Sequence, residues 1–395
     1  MNNNQESNQI YICPICGNTD IHSIGYLNGK PYCRRCISFK GEEVKHKPSY
    51  PKKAPIHLSY ELSLEQKELS DKLVENYKKG IDSLVYAVTG SGKTEITLQV
   101  LQYAINCGER VAFAVPRRDV VIELHSRLSN IFKENKVISV YGGHHQDVDG
   151  DLVVLTTHQF FRYQNYFSLI ILDEIDAFPF KGDEVLRKMF FNSLIGNYIM
   201  MSATPTKEAI ELFKGKNKEI LRLDIRFHHH AIPVPRFYIN RSFFRYFILI
   251  KEVGKILKHK KQLFIFVPTI EEADIVFILL SIFYRKGHSL HSQKNERNKI
   301  ISDFRRGIYR FLVTTSVLER GVTVKDLQVI VFNAHHVIYD KGTLIQISGR
   351  AGRKADAPRG EVIFIAKRKT NEMVEARSSI INSNKALQDL LSRDQ

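Results

Sequence analysis

The chain has 395 residues, a length that allows two or three domains, each able to bury a core. Lys and Arg number 58 against 42 Asp and Glu, which gives a formal net charge of +16. This balance favours a polyanionic partner, nucleic acid before an anionic membrane, although a generally basic surface would give the same total. No apolar run approaches the ~20 residues of a membrane-spanning helix. The polar stretch 1–12 predicts a disordered tail and no signal peptide, so we expect a cytosolic protein with reduced thiols.

Four of the five cysteines form two C-x2-C pairs, Cys13 with Cys16 and Cys33 with Cys36. Two such pairs can place four thiolates at the corners of a tetrahedron around Zn²⁺. The alternatives are disulfides, which a reducing compartment disfavours, or a redox pair. We therefore predict a four-Cys zinc module over residues 13–41, with Asn28 and Gly29 turning a small hairpin. Whether it contacts nucleic acid or protein stays open. Cys107 is predicted to be a buried thiol near a helix end.

Residues 42–57 combine three prolines with several lysines and predict a basic linker. A helix is predicted to follow, with Ser63 as its N-cap. Gln66 lies on that helix and has two interpretations. It could recognise adenine through its amide, or it could be an exposed helix residue.

The stretch 86–94 reads Tyr-Ala-Val-Thr-Gly-Ser-Gly-Lys-Thr and stands between an apolar run and a helical segment. A strand, a glycine-containing loop and a helix in this order are typical of a phosphate-binding loop. Lys93 is predicted to reach the β- and γ-phosphates, and Thr94 to ligate Mg²⁺. Ala87 replaces the usual first glycine, and an ordinary strand-to-helix turn is the alternative. The predicted nucleotide-binding residues of the loop are Thr89, Gly90, Ser91, Gly92, Lys93 and Thr94.

Short apolar runs alternate with amphipathic helices from residue 83 to 201, and again from 262 to 365. This rhythm predicts an α/β chain with tandem parallel sheets that carry helices on both faces. Ligands of such sheets bind at the carboxyl ends of the strands. We predict a first lobe at 58–225, a connector at 226–236 and a second lobe at 237–395.

Two groups of charged residues are candidates for catalysis. Asp173 and Glu174 follow a buried apolar run, where Asp173 could hold Mg²⁺ and Glu174 could deprotonate the attacking water. A solvated strand end is the alternative. Arg350 and Arg353 lie three residues apart on one side of a helical turn. Arginines from a second domain can reach across a cleft and stabilise the charge that develops on the γ-phosphate. A basic helix end is the alternative.

Other polar strand ends suit the backbone of a nucleic acid, because they offer cations and hydroxyls. Two phenylalanines follow the carboxylates and could either stack on bases or pack under a neighbouring loop. The residues predicted to contact a strand are Arg117, Thr157, His158, Phe178, Phe180 and Thr315.

Taken together, these segments resemble the superfamily 2 helicases, which have two RecA-like lobes with ATP bound between them. The matching motifs lie at 87–94 (I), 116–117 (Ia), 156–159 (Ib), 173–176 (II), 202–204 (III), 266–268 (IV), 314–323 (V) and 346–353 (VI). The resemblance assigns Gly321 of motif V to the nucleotide. Motif VI has Ile347 where many members carry arginine, which is similar to the PriA and RecG branch of DNA translocases.

A narrower resemblance rests on the four-Cys module, on Asp-Glu-Ile-Asp-Ala-Phe-Pro-Phe at 173–180 and on Leu-Glu-Arg-Gly-Val-Thr at 318–323. These resemble the ComFA family of late competence proteins. The resemblance implies a DNA-dependent ATPase that helps pull single-stranded transforming DNA into the cytoplasm. It implies ATP, Mg²⁺ and Zn²⁺ as cofactors and no other small-molecule substrate. ComFC, DprA and the membrane DNA channel are the implied partners, and peripheral attachment to the inner face of the membrane is compatible with it.

Two rival functions remain. One is a replication-restart or repair helicase of the PriA or RecG type, which a strand-separating accessory domain would favour. The other is a nucleic-acid-binding adaptor that does not hydrolyse ATP. The intact Lys93, Glu174, Arg350 and Arg353 argue against the adaptor.

Overall fold

The structure of the chain is a computed structural model that describes residues 11–36, 39, 42–143, 147–176, 180, 182–294, 296–315, 324–354 and 356–393. These residues form two compact units. The first contains the residues up to Glu61, Lys67–Val85 and Thr94–Leu221, and the second contains Leu62–Gln66, Tyr86–Lys93 and the residues from Arg222 onward. Phe178 and Gly321, which are predicted site residues, lie outside the described part.

The four-Cys module contains the predicted hairpin. A turn of 3-10 helix, Ile21–Ser23, precedes strands β1 (Ile24–Leu27) and β2 (Lys30–Cys33), which pair antiparallel. Asn28 and Gly29 connect them with φ values of 50° and 75°. Asn-Gly pairs favour this turn because both residues accept positive φ.

Among the described residues, seven strands form the first large sheet, in the order β5-β6-β4-β7-β8-β3-β9. The strands are β3 (Asp82–Ala87), β4 (Val111–Val115), β5 (Val137–Val140), β6 (Leu152–Thr156), β7 (Phe167–Asp173), β8 (Leu194–Ser202) and β9 (Lys218–Leu223). The pairings from β5 across to β8 are parallel. Every residue of β4 and β6 is buried, as expected for a strand that is covered on both faces.

Helices alternate with these strands along the chain. They are α1 (Leu64–Lys78), α2 (Lys93–Ile96), α3 (Leu98–Asn106), α4 (Arg118–Ile131), α5 (Glu184–Ser193) and α6 (Lys207–Leu212), with a 3-10 segment at Thr157–Arg162. Side-chain caps fix two of the helix starts. Asp183 accepts from the backbone of α5, and Thr206 accepts from that of α6.

The second sheet has the order β10-β15-β14-β11-β13-β12 over the described residues, and its five pairings are all parallel. Its strands are β10 (Arg236–Ile239), β11 (Gln262–Phe266), β12 (Gly287–Leu290), β13 (Phe311–Thr314), β14 (Leu327–Phe332) and β15 (Val362–Ala366). Its helices are α7 (Phe244–Lys258), α8 (Ile270–Phe283), α9 (Arg297–Arg305), α10 (Lys341–Ser348) and α11 (Asn371–Arg393).

The side chains of β11 point alternately to the two faces of the second sheet, which explains why this strand is largely apolar. Phe264 and Phe266 enter one hydrophobic core, whereas Leu263 and Ile265 enter another. Successive side chains of a strand point to opposite faces, so both faces of this sheet are covered. The predicted fold, two tandem α/β lobes preceded by a small four-Cys module, is confirmed.

Residues 42–57 do not form the predicted linker. They are bound along the first unit by backbone hydrogen bonds, from Val44 N to the Arg162 carbonyl at 2.7 Å and from His57 N to the Ile131 carbonyl at 3.0 Å. Val44 and Ala54 are buried. The stretch runs so close to Gly108, at φ +78°, that a Cβ there would lie 2.6 Å from the Pro51 nitrogen. Its prolines therefore keep a bound strap extended instead of spacing two domains.

Two further findings concern single features. Cys107 is exposed and not buried as predicted, because it caps the solvent end of α3. No helix within the described ranges combines the length and the apolar character needed to cross a membrane.

Candidate functional site

The phosphate loop, residues 88–92, follows β3 and leads into α2, which begins at Lys93. Gly90 and Gly92 have φ values of +84° and +83°, a region in which residues with a side chain are strained. The Ser91 N–H donates to the Val88 carbonyl at 3.2 Å and closes the turn. The local sequence thus gives the strand, loop and helix that a phosphate site needs, with backbone N–H groups at the helix start.

Gln66 supports this loop from the start of α1. The Ser63 N–H donates to Gln66 Oε1 at 3.0 Å, and the Gln66 N–H donates to Ser63 Oγ at 3.3 Å. This reciprocal capping box confirms the predicted N-cap. Gln66 Nε2 also donates to the Ser91 carbonyl at 2.7 Å, and the side chain is only 4% exposed. The interpretation as an exposed helix residue is therefore wrong, and adenine recognition stays a prediction.

Glu95, one residue after Thr94, is a functional neighbour that sequence reasoning missed. The Tyr60 hydroxyl donates to Glu95 Oε1 at 2.7 Å, and Arg127 forms an ion pair with the same buried carboxylate. These contacts tie α2 to α4. They hold the helix that presents Thr94, and no pattern in the local sequence indicates the distant arginine.

The carboxylates at the end of β7 have unusual local geometry. Glu174 adopts φ +60°, a conformation that costs a residue with a side chain roughly 1–3 kcal/mol. Its N–H donates to Asp173 Oδ1 at 2.8 Å, which fixes the Asp173 side chain. Strained backbone of this kind concentrates at functional sites, where the surrounding structure enforces it.

The end of β8 supplies two hydroxyls to Asp176, a third carboxylate that follows β7. Strand β8 pairs with β7, with Met201 opposite Asp173. Ser202 Oγ donates to Asp176 Oδ1 at 2.8 Å, and Thr204 Oγ1 donates to Asp176 Oδ2 at 2.9 Å. Both oxygens of Asp176 are thereby occupied, so this carboxylate links two strand ends.

The four cysteines form a cluster suited to a tetrahedral metal. Their Sγ atoms all lie within 4.8 Å of one another, with Cys13–Cys36 at 3.9 Å and Cys16–Cys33 at 3.8 Å. A Zn–S bond of about 2.3 Å in tetrahedral geometry requires a sulfur–sulfur distance of about 3.8 Å. These distances are far longer than a disulfide bond, and all four thiols are free. The donor set therefore fits zinc.

The four-Cys module packs against the first unit. Its cysteines belong to the same hydrophobic core as Phe160 and Phe190. Asn192 Nδ2 donates to the Ile15 carbonyl at 3.0 Å, and the Phe39 ring lies 6.0 Å from the His158 ring. The module is thus an integral part of the first unit and lies beside motif Ib.

Burial separates the residues that were predicted to contact a nucleic acid strand. Arg117 and His158 are partly exposed, and their contact with a strand stays a prediction. The side chains of Thr157, Phe180 and Thr315 are buried, with exposures of 0%, 6% and 8%. We therefore correct the prediction that these three side chains touch a strand. Phe180 packs edge-on against Phe190, as the packing alternative expected.

The arginine turn, residues 349–353, follows α10 in the second unit. Arg350 is 7% exposed and Arg353 is partly exposed. A buried side chain lies behind this turn, because Arg226 donates to the carbonyls of Gly349, Ala351 and Gly352. The sequence indicated only a connector at Arg226.

Two family matches cover the two lobes. The chain matches the DEAD/DEAH box helicase family over residues 66–213 and the helicase conserved C-terminal domain over residues 248–355. In a solved structure, the helicase Lhr of Mycobacterium smegmatis bound to ssDNA and AMP-PNP shares the fold. It has a TM-score of 0.61 at 15% identity, covering 82% of this chain and 50% of that one.

Two curated relatives match nearly the whole chain. Competence protein ComFA of Bacillus subtilis is 32% identical over 402 residues, which cover 95% of this chain and 86% of the relative. Competence protein ComFA of Streptococcus pneumoniae is also 32% identical, covering 89% of this chain and 85% of the relative. With its two helicase domains, the chain is a DNA-dependent ATPase of helicase superfamily 2. It belongs to the ComFA family of competence proteins.

Proposed function

We propose that this chain is an ATP-driven motor that moves along single-stranded DNA and helps bring transforming DNA into the cytoplasm during natural competence. The observation that carries the proposal is the near full-length match to two competence proteins, together with a phosphate loop that keeps its two positive-φ glycines. The net charge of +16 also suits a polyanionic track.

The chain's own side chains supply the proposed chemistry of ATP hydrolysis. Lys93 and the loop N–H groups bind the phosphates, and Thr94 and Asp173 are the residues that would hold Mg²⁺. Bound Mg²⁺ neutralises charge on the phosphate oxygens. Glu174 orients the attacking water and accepts its proton. Arg350 and Arg353 stabilise the charge that develops on the γ-phosphate.

We assign zinc to the four-Cys cluster, with Cys13, Cys16, Cys33 and Cys36 as ligands. The sulfur–sulfur distances and the absence of disulfides among these thiols support the assignment. Bound zinc stabilises the small module, whose few core residues are largely the cysteines themselves.

Membership in the ComFA family supports a proposal for the partners and the location of the chain. We propose that the motor works with ComFC, DprA and the membrane DNA channel, at the cytoplasmic face of the membrane. Co-purification of each from competent cells, with and without nuclease, separates protein contacts from contacts through DNA.

Displacement of streptavidin from biotinylated single strands tests the motor. We expect the wild-type protein to release streptavidin from one end of the oligonucleotide, and only with ATP, because directional movement pushes the block off. Lys93→Ala should lower both release and turnover at least about 100-fold, since it removes a cation that binds the transferring phosphate. Lys214→Ala is the matched control, because its side chain is 65% exposed and pairs only with Glu211 among the described residues.

If the wild-type protein hydrolyses ATP on DNA and yet releases streptavidin from neither end, the ATPase is established and the motor function is excluded.

A further inference from the structure

Arg226 binds the phosphate loop and the arginine turn with one guanidinium group. Its Nε donates to the Thr89 carbonyl at 3.1 Å. Its Nη atoms donate to the carbonyls of Gly349 at 3.0 Å, Ala351 at 3.2 Å and Gly352 at 2.7 Å. All of these residues belong to the second unit. Two segments whose residues Thr89 and Gly349 lie 260 positions apart in sequence therefore share one side chain.

The position of Arg226 costs free energy, which indicates a function beyond packing. The side chain is 1% exposed, and its hydrogen-bond partners among the described residues are all carbonyls. Burial, together with the charge of Arg353, lowers the pKa of Arg226 to about 9. Hydrogen bonds to the carbonyls at the C-terminus of α10 offset part of this cost, since these carbonyls lack partners within the helix and carry partial negative charge.

The loop and the turn are also in direct contact beside Arg226. A Cβ at Gly349 would lie 2.0 Å from Thr89 Oγ1, so only glycine fits there. The Phe227 N–H donates to the Gly90 carbonyl at 3.3 Å. The guanidinium therefore connects the Thr89 carbonyl of the loop to three carbonyls of the turn.

We infer that Arg226 is a positioning residue that couples the conformation of the phosphate loop to the placement of Arg350 and Arg353. When the loop adapts to bound phosphates, the guanidinium group of Arg226 moves the arginine turn with it. This inference rests on the proposed function of the loop and the turn in ATP hydrolysis. Lysine cannot replace Arg226, because its ammonium group lacks the planar set of N–H donors with which the guanidinium binds carbonyls on two segments.

The test is a double-mutant cycle between Arg226→Gln and Arg353→Gln, read by steady-state ATPase kinetics on single-stranded DNA. Arg226→Gln should lower kcat about 10- to 100-fold, the range expected when catalytic groups are misplaced by about 1 Å. The affinity for a fluorescent ADP should change less than about threefold, because the arginines are assigned to the γ-phosphate, which ADP lacks. The double variant should be no slower than Arg353→Gln alone, since Arg226 acts through the turn.

Arg377→Gln is the matched control, because Arg377 is an exposed arginine of α11 in the same unit that lies over the Phe237 ring, outside the phosphate loop and the arginine turn. It should keep wild-type kinetics. Arg226→Lys retains the cation at the helix end and should still have a lower kcat. It therefore replaces Arg226→Gln in the double-mutant cycle if Arg226→Gln does not fold.

Each outcome decides a separate point. Losses that multiply in the double variant, or an unchanged kcat in folded Arg226→Lys, would overturn the coupling and leave only a structural cap for α10. A wild-type protein without any ATPase activity would instead refute the proposed function, before any variant is compared.

Discussion

Glu174→Gln is expected to lower ATP turnover about 10²- to 10⁴-fold, the contribution typical of a positioned general base. Glutamine keeps the size of the side chain and can still hold a water molecule, but it does not accept the proton. Both residues meet the same backbone strain at φ +60°, so the folded state should keep its stability. ATPase kinetics and thermal unfolding, measured on the same preparation, check both parts.

The control for this substitution is Glu184→Gln, which neutralises an exposed glutamate in the first turn of α5. It should leave turnover unchanged. Normal turnover in Glu174→Gln would remove Glu174 from the mechanism, and an equal loss in both variants would point to a general effect of charge.

Cys36→Ala is expected to remove zinc from the protein and to destabilise the first unit. The wild-type chain should contain about one zinc ion, and a site left with three thiolates binds it much more weakly. The loss should reach beyond the module, because Cys36 belongs to the same hydrophobic core as Phe160 and Phe190. We expect the midpoint of thermal unfolding to fall by at least about 5 °C, which corresponds to only a few kcal/mol in a domain of this size.

Cys107→Ala is the matched control, since Cys107 is an exposed free thiol outside the cluster. It should retain the metal and the unfolding midpoint. A wild-type protein that is folded and metal-free throughout would contradict the assignment of zinc, and Cys36→Ala with an unchanged midpoint would contradict the structural role of the module.

The two sheets were predictable because most of their strands are continuous apolar runs. Strands β4, β6 and β14 are buried along their whole length, which leaves a signal in any window of the sequence. Strands β9, β10 and β12 leave no such signal. They are only partly buried and carry polar residues, so their pairing depends on neighbours that the local sequence does not reveal.

The residues of the candidate site likewise fall into those with a local sequence signal and those without one. The phosphate loop, the carboxylates of β7 and the four cysteines have fixed local spacing, and the sequence was sufficient to locate them. Arg226 was missed because its importance comes from carbonyls far away in the chain. The burial of Phe180 and the binding of the 42–57 strap are likewise tertiary results, since both depend on what packs above them.

The rate of ATP hydrolysis, compared across single-stranded DNA, duplex DNA and RNA, tests the central claim most directly. The comparison requires one stated salt concentration, because contacts with phosphates weaken as salt rises. We predict that single-stranded DNA raises the rate several-fold over the protein alone, and that duplex DNA and RNA raise it less. A rate that no nucleic acid increases, or that only RNA increases, would contradict a motor that moves along single-stranded DNA.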